Sequence, residues 1–287
     1  MNQILRFFPA LKVHSWGGFG SQLYTAFVIL KLQQSYPGRR IKVVIHTSGV
    51  TRMVKEFNFG SLGVQVVQIE DFKSTKSLST TKKYQPQCIP SFLSVSKQLL
   101  LKVLVQLRIL VKVNTDDSFE LITFWTISLR GHYTNLTLDK PLVDSLYRVL
   151  FTEESQFKSR NCDLVVHYRL GDLLTLPQKH PISVERVERV LEKLKVDLGS
   201  LVLLSDSKGE DLVKFLESSN LLKFSKSSNY DPIKTLRICI DAEKFVGTGA
   251  KLSLWAATFR YFVHGKVSFL PTDVNWVRES GVEANWY

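Results

Sequence analysis

The stretch from residue 10 to residue 47 constrains the fold most, because it has the pattern of a strand, a glycine-rich turn, a helix and a second strand. ALKVHSW (10–16) has the character of a short strand and is followed by GGFGS. QLYTAFVILKLQQSY (22–36) has helical length and stops at a Pro-Gly pair. RRIKVVIHT (39–47) is the next strand. A strand–helix–strand unit of this kind predicts a parallel sheet.

The remainder of the N-terminal half is less regular. VQVVQI (64–69) and ELITFW (120–125) are predicted strands, and 94–113 and 141–151 are predicted helices. Residues 72–87 are polar and basic, which predicts a loop. The 94–113 segment, SVSKQLLLKVLVQLRILVKV, is the most apolar of the chain. It is either a core helix with snorkelling basic residues or an amphipathic helix on an anionic membrane.

A second alternation of strands and helices begins near residue 160. The predicted strands are 163–169, 201–207, 244–246 and 266–271, and the predicted helices are 183–198, 209–219, 234–243 and 251–262. Two successive alternations predict an α/β protein with two Rossmann-like domains, residues 1–155 and 156–287. Ligands in such sheets bind at the carboxyl ends of the strands or between the halves.

Charge and cysteine content narrow the functional classes. The chain has 38 basic and 26 acidic residues, a net charge of +12, which predicts attraction to a phosphorylated small molecule, an anionic membrane surface or nucleic acid. No nucleic-acid-binding motif is present, so that partner is disfavoured. The scattered Cys88, Cys162 and Cys239 fit a reducing compartment. With no signal-peptide pattern and no apolar run of membrane-spanning length, we expect a cytoplasmic protein.

LVVHYRLGD (164–172) combines an apolar strand with three polar side chains near its end. Alternation places His167 and Arg169 on one face of the strand. Arg169 falls at the carboxyl end, where its planar guanidinium suits bidentate pairing with phosphate oxygens. Asp172 either caps the next segment of the chain or holds His167 or Arg169 in position. The alternative is an Arg–Asp ion pair that only ends the strand.

Two glycine-rich turns, WGGFGSQ (16–22) and FVGTGAKLSLWAATF (245–259), lead into helices and could hold phosphate on backbone N–H groups. The candidate contacts are Gly17, Gly18, Gly20, Thr248 and Ser253. The first turn has Leu23 where a dinucleotide fingerprint has its third Gly, and no acidic residue ends the next strand. A dinucleotide oxidoreductase is therefore disfavoured. Simple packing turns remain the alternative at both places.

Acidic residues offer weaker signals. Asp206 lies at a predicted strand end and could reach a ligand. Asp241 and Glu243 have the spacing of a metal-binding pair but lie in a predicted helix, so we interpret them as structural. No HExxH, Cys/His cluster or GxSxG is present, so metalloprotease and α/β-hydrolase chemistry have no support and no metal is expected.

Taken in order, GGFGSQL, RGHYTN (130–135), HYRLGD and GAKLSLWAA (249–257) resemble the motifs of the α-1,2-fucosyltransferases of glycosyltransferase family 11. The resemblance spans residues 13 to 277. It departs from the family at three positions: Leu170 replaces the second Arg of H-x-R-R-G-D, Gly249 replaces an Asn and Leu254 a Trp. One cation fewer is then expected near the phosphates, with Lys251 a candidate replacement.

The resemblance implies a GT-B-like fold, two Rossmann-like domains facing a central cleft that holds GDP-fucose. It implies an inverting, metal-independent transfer in which Arg169 binds the diphosphate, His167 and Asp172 shape the pocket, and Ser253 contacts phosphate. Gly17, Gly18 and Gly20 would approach from the N-terminal domain, on the acceptor side.

The acceptor is expected to be a glycan or lipid-linked glycan in surface-polysaccharide synthesis, handled at the cytoplasmic membrane face. Candidates for the catalytic base are His14, Asp172 and Asp206. Two alternatives stay open: the same fold with another nucleotide-sugar donor, and a non-catalytic protein that binds nucleotides or polyanions.

Overall fold

The computed structural model describes most of the chain. The described residues are 9–46, 57–69, 92–151, 162–170, 173, 180–195, 201–207, 209–217, 219, 221, 223, 231–273 and 280–287, without the side chains of 92–98 and 209. Their contacts divide the chain into two compact units, Met1–Tyr133 (unit 1) and Thr134–Tyr287 (unit 2).

In its described residues, unit 1 contains a five-stranded parallel sheet and two α-helices. The strands are β1 (Leu11–Ser15), β2 (Ile41–His46), β3 (Gln65–Ile69), β4 (Leu110–Lys112) and β5 (Ser128–Arg130), in the order β3-β2-β1-β5-β4. The helices are α1 (Phe19–Ser35) and α2 (Phe92–Gln106). Most of α1 is buried, as expected for a helix that links two parallel strands and covers their sheet.

Unit 2 contains a second parallel sheet and more helices. Its strands are β6 (Leu164–Tyr168), β7 (Leu201–Ser205), β8 (Lys244–Gly247), β9 (Ser268–Leu270) and β10 (Ala284–Trp286). Its helices are α3 (Lys140–Leu150), α4 (Val184–Leu194), α5 (Gly209–Phe215), α6 (Pro232–Asp241) and α7 (Lys251–His264). The order β7-β6-β8-β9-β10 is a doubly wound order whose direction reverses between β6 and β8. The carboxyl ends of β6 and β8 are therefore where such a sheet binds its ligand.

The predicted α/β class with two Rossmann-like parallel sheets, the sheet content of a GT-B-like fold, is confirmed. That the two domains face a cleft stays a prediction. The units divide at Tyr133 and Thr134, earlier than the predicted boundary after residue 155. The reason is that α3 packs on α7, with the rings of Tyr147 and Phe259 5.5 Å apart. The polar join predicted at 152–161 lies outside the described residues, as does the 72–87 loop.

Three predictions of secondary structure are wrong. The helix predicted over 94–113 ends at Gln106, and β4 follows after Arg108, whose φ of 54° breaks the helix. Residues 120–125 form turns rather than a strand. The pairing strand comes later, because the amides of Ile127 and Ser128 donate to the carbonyl of Ile109 and start β5 beside β4. Residues 266–271 were predicted to form the last strand of unit 2. They contain β9, but the tail adds a further strand, β10, which pairs with β9 and forms the edge of the sheet.

Candidate functional site

The carboxyl ends of β6 and β8 lie side by side, with His167 in register with Gly247. A Cβ on Gly247 would lie 2.7 Å from the Cβ of Ser253, so glycine is required for α7 to begin this close to the strand. The hydroxyl of Tyr287 donates to the carbonyl of Gly247 at 3.0 Å. The described residues of the predicted HYRLGD segment and the GAKLSLWAA segment thus meet at one point in unit 2.

His167 and Ser253 form a buried pair at this point. Their Nδ1 and Oγ atoms share a hydrogen bond of 2.7 Å, and both side chains are buried. Burial lowers the pKa of His167, the Asp206 carboxylate opposes this and the Arg169 guanidinium adds to it. The imidazole is therefore neutral near pH 7. Because the Ser253 hydroxyl is fully enclosed, this geometry favours a role in orienting His167, and its contact with phosphate stays a prediction.

Thr248 fixes the backbone where β6 ends. Its Oγ1 accepts from the amide of Arg169 at 2.7 Å and donates to the carbonyl of His167 at 3.0 Å. The side chain of Thr248 is buried, whereas that of Arg169 is partly exposed. This geometry favours a role of Thr248 in positioning Arg169, and its contact with a donor stays a prediction. The Arg169 side chain extends from a backbone held by two strands.

Asp206 plays a similar part from β7. Its carboxylate accepts from the amide of Leu170 at 2.8 Å while the side chain itself stays exposed. Asp206 thus holds the first residues after β6 and brings negative charge near His167. Its contact with a donor stays a prediction.

Leu170, which replaces the second Arg of the H-x-R-R-G-D motif, is a core residue of unit 2. Its side chain is fully buried in the core of unit 2, among the apolar residues of β6, α4 and α5. Alternation along the chain explains this, since Val166, Tyr168 and Leu170 all point to the same face. The expectation that Leu170 leaves a gap in charge beside the phosphates therefore has no geometric support. Leu254, the other apolar departure, is buried as well.

The N-terminus of α7 completes this edge of the sheet. Gly249 has a φ of 70°, and the N-cap Ala250 has no side-chain oxygen to cap the first amides. The first turn contains no acidic residue. A helix start of this kind carries partial positive charge and binds anions through its N–H groups.

The glycine-rich turn of unit 1 joins β1 to α1. Gly17 has a φ of 89°, and a Cβ there would lie 2.9 Å from the Ser21 hydroxyl, so this position requires glycine. Gly18 is the N-cap of α1 and has no side chain to cap the first backbone amides of the helix. Gly20 is buried inside the helix, which favours a packing role, and the contacts of Gly17, Gly18 and Gly20 with a donor stay predictions. Gln22 braces the turn, because its amide donates to the carbonyl of Gly17 at 3.4 Å.

A pair of histidines lies at the carboxyl ends of β1 and β2. Nδ1 of His14 and Nε2 of His46 are 2.7 Å apart, both rings are buried, and Trp16 stacks on His46 at 4.4 Å. Sequence reasoning named His14 as a candidate base but missed His46 and Trp16. The sequence contained a signal for this pair. His14 is the last residue but one of β1, His46 is the last residue of β2, and the two strands are parallel neighbours. A role as base stays a prediction.

Other predicted features have a simpler outcome. Asp172 lies outside the described residues, as does Cys88. Among the described residues, no group of three or more His, Cys, Asp or Glu side chains could hold a metal ion. No helix in the described part of the chain has the length and apolarity to cross a membrane.

Comparison with known proteins gives only distant similarity. No protein-family model and no curated protein match the chain. Among solved structures, a family 9 glycosyltransferase from Veillonella parvula covers 98% of this chain and 85% of its own, at 10% identity and a TM-score of 0.41. The E. coli heptosyltransferase WaaC with ADP covers 96% and 92%, at 11% and 0.43. E. coli ADP-heptose heptosyltransferase II covers 91% and 84%, at 10% and 0.39. Such scores do not assign an activity.

The buried His167 predicts how stability depends on pH. Its folded pKa lies below the ordinary 6.5, so the unfolded chain binds the proton more readily. The contribution of neutral His167 to the free energy of unfolding is then fully present above pH 6.5. It falls as the pH decreases towards the folded pKa, with a slope of up to about 1.4 kcal/mol per pH unit. Thermal unfolding between pH 7.5 and 5 should show a shallower decline for His167→Gln than for the parent. Equal slopes would contradict the prediction. His264, whose pKa is also lowered by burial, contributes with the same sign in both proteins.

Proposed function

We propose that the chain is an inverting, metal-independent glycosyltransferase that transfers a sugar from a GDP-sugar, with GDP-fucose as the first candidate, to a glycan hydroxyl. The observation that supports it most is the meeting of Arg169, His167 and the start of α7 at the switch point of a doubly wound sheet. This is the place where such folds bind phosphorylated ligands.

The chemistry of sugar transfer suits these groups. Breaking the bond between the sugar and the diphosphate leaves negative charge on the departing nucleotide. Arg169 can form a bidentate pair with phosphate oxygens, and the first amides of α7 can donate to others. Because Thr248 and Asp206 hold the backbone after β6, Arg169 needs little reorganisation as the charge develops. Fixed donors of this kind stabilise the transition state directly.

His167 supports the same site in its neutral form. Burial keeps the imidazole uncharged, and the hydrogen bond between Nδ1 and the Ser253 hydroxyl holds the ring in place. A neutral imidazole adds no charge to the site and keeps its hydrogen bond with Ser253. The candidates for the base that takes the proton of the acceptor hydroxyl remain His14, Asp172 and Asp206, and His14 is hydrogen-bonded to His46.

The choice of donor rests on the motif resemblance. The four segments in order favour GDP-fucose, and surface-polysaccharide synthesis is the process that such an enzyme serves. Another nucleotide-sugar donor on the same fold is the alternative. ADP, which one of the structural neighbours contains, is therefore a useful comparison nucleotide in any test.

A panel of nucleotides tests the proposal by thermal unfolding. We expect GDP, at about a hundredfold excess over its Kd, to raise the melting temperature by about 5 °C or more. UDP and CMP should have little effect. A rise in melting temperature with ADP alone would indicate an ADP-sugar as the donor and leave the proposed reaction class unchanged. Equal shifts with all nucleotides and with inorganic polyphosphate would favour the non-catalytic polyanion-binding alternative.

A further inference from the structure

Unit 1 exposes a large apolar surface in two parts, which we call the docking surface. The first part is one face of α2 and the residue after it, where Leu99, Leu100, Val103 and Leu107 are exposed by 41% to 64%. The second part is the turn before β5, where the exposed residues are Leu121, Phe124, Trp125 and Ile127, with Trp125 at 62%. Single exposed apolar side chains are ordinary, but a group of eight marks an interaction site.

Helix α2 exposes its more apolar side. Helical spacing places Leu99, Leu100, Val103 and Leu107 on one face. Leu101 and Val105, on the opposite side, are partly buried. Among the described residues, the core of unit 1 thus uses one side of α2 and leaves the leucine-rich side in solvent. A helix that only completed the core would have the reverse arrangement.

The aromatic turn is held in place by buried polar groups. The guanidinium of Arg39, itself buried, donates to three carbonyl oxygens of the turn, those of Thr123, Phe124 and Thr126. The hydroxyl of Thr126 then donates to the carbonyl of Arg108 at 2.8 Å, just beyond α2. These bonds fix the turn beside the end of the helix, so the two parts of the docking surface are neighbours.

Charge identifies the partner. From residue 92 to residue 115, which covers α2 and β4, the chain carries Lys97, Lys102, Arg108 and Lys112 and no acidic residue. The acidic residues Asp116, Asp117 and Glu120 follow before the aromatic turn, and Asp116 is paired with Lys31, so the basic charge belongs to the α2 part of the docking surface. A second copy of the chain would bring like charges together, whereas an anionic bilayer attracts them. Exposed leucines with Trp, Phe and flanking basic residues are the composition of helices that lie in a membrane interface.

We propose that the docking surface binds an anionic lipid bilayer. The apolar face of α2 enters the boundary between headgroups and acyl chains, and Phe124 and Trp125 lie at the same level. Lys102 and Arg108 reach lipid phosphates from the edge of this face. The proposal concerns unit 1 alone and does not depend on the proposed enzymatic function.

Flotation of the full chain with lipid vesicles tests the proposal. We expect binding to phosphatidylcholine vesicles that contain phosphatidylglycerol, and much weaker binding to phosphatidylcholine alone or at high salt. Val103→Glu should reduce the partition coefficient about tenfold or more, because it places a charge at the apolar face. The matched control is Val213→Glu, an exposed valine on α5 of unit 2, which should bind as the parent does.

A second readout locates the contact. Lipids with brominated chains should quench tryptophan fluorescence in the parent, and Trp125→Phe should remove most of that quenching. Absence of binding to anionic vesicles would overturn the proposal, as would equal binding by the two valine variants. A dimer that Val103→Glu dissociates, found by sedimentation together with no vesicle binding, would assign the surface to a second copy instead.

Discussion

Replacement of Arg169 by alanine is expected to reduce the rate of sugar transfer by about 100- to 1000-fold. Arg169 is the cation at the carboxyl end of β6, beside the start of α7, where charge on the departing diphosphate would develop. Its amide, and not its side chain, makes the bond with Thr248, so truncation leaves that bond intact. The end of β6 should therefore keep its fold in the variant. Steady-state release of GDP from GDP-fucose in the presence of a glycan acceptor measures the rate.

Two further variants separate charge from geometry. Arg169→Lys retains the charge but loses the planar fork, so we expect it to recover only part of the activity. Arg189→Ala removes an exposed arginine from α4 in the same unit and should be as active as the parent. If Arg169→Ala unfolds, or if it is fully active, Arg169 serves the strand end only and the diphosphate site lies elsewhere.

Replacement of Gly247 by alanine is expected to destabilise unit 2 by about 1–3 kcal/mol and to abolish nucleotide binding. The new Cβ would lie 2.7 Å from the Cβ of Ser253 and 3.0 Å from Cδ2 of Leu270, both well inside contact distance. To relieve this overlap, the start of α7 must move away from β8. That movement stretches the bond between Ser253 and His167 and displaces the amides at the helix start.

The control for this change is Gly60→Ala in the 3-10 turn Phe59–Leu62 of unit 1. A Cβ at Gly60 meets only the flexible end of Asn58, at 3.1 Å, so little change in stability is expected. Urea denaturation gives the free energy of unfolding for each variant. An alanine at Gly247 that costs no more than the one at Gly60 would show that the packing of α7 against β8 is looser than the distances indicate.

Much of the fold could be predicted from sequence because its parallel sheets rest on local patterns. The glycine turn after residue 16 marks the end of strand β1 and the start of helix α1. The apolar run that begins at Leu164 marks strand β6. Neither signal requires knowledge of the rest of the chain. The errors fall where tertiary contacts decide. Strand β4 follows the long apolar helix without a break in composition, and its partner β5 is set by hydrogen bonds from Ile127 and Ser128 to Ile109.

The position of the candidate site was predictable from the sequence, but the role of each residue in it was not. Strand alternation identified the residues near the end of β6. Alternation places Leu170 on the face opposite His167 and Arg169, but only the packing of α4 and α5 against that face makes Leu170 a core residue. The predicted strand–helix–strand unit made β1 and β2 neighbours, but the contact between His14 and His46, 32 residues apart, also depends on the register of the two strands. Ser253 was predicted as a ligand, yet only the fold places it beneath His167.

Amide hydrogen exchange with and without GDP tests the location of the donor site most directly. If the diphosphate lies at the switch point of unit 2, GDP should slow exchange in peptides covering the end of β6 and the start of α7, near Arg169 and Gly249. The same peptides should show no change in Arg169→Ala. Protection by GDP elsewhere, with both peptides unaffected in the parent protein, would contradict the assignment of this site.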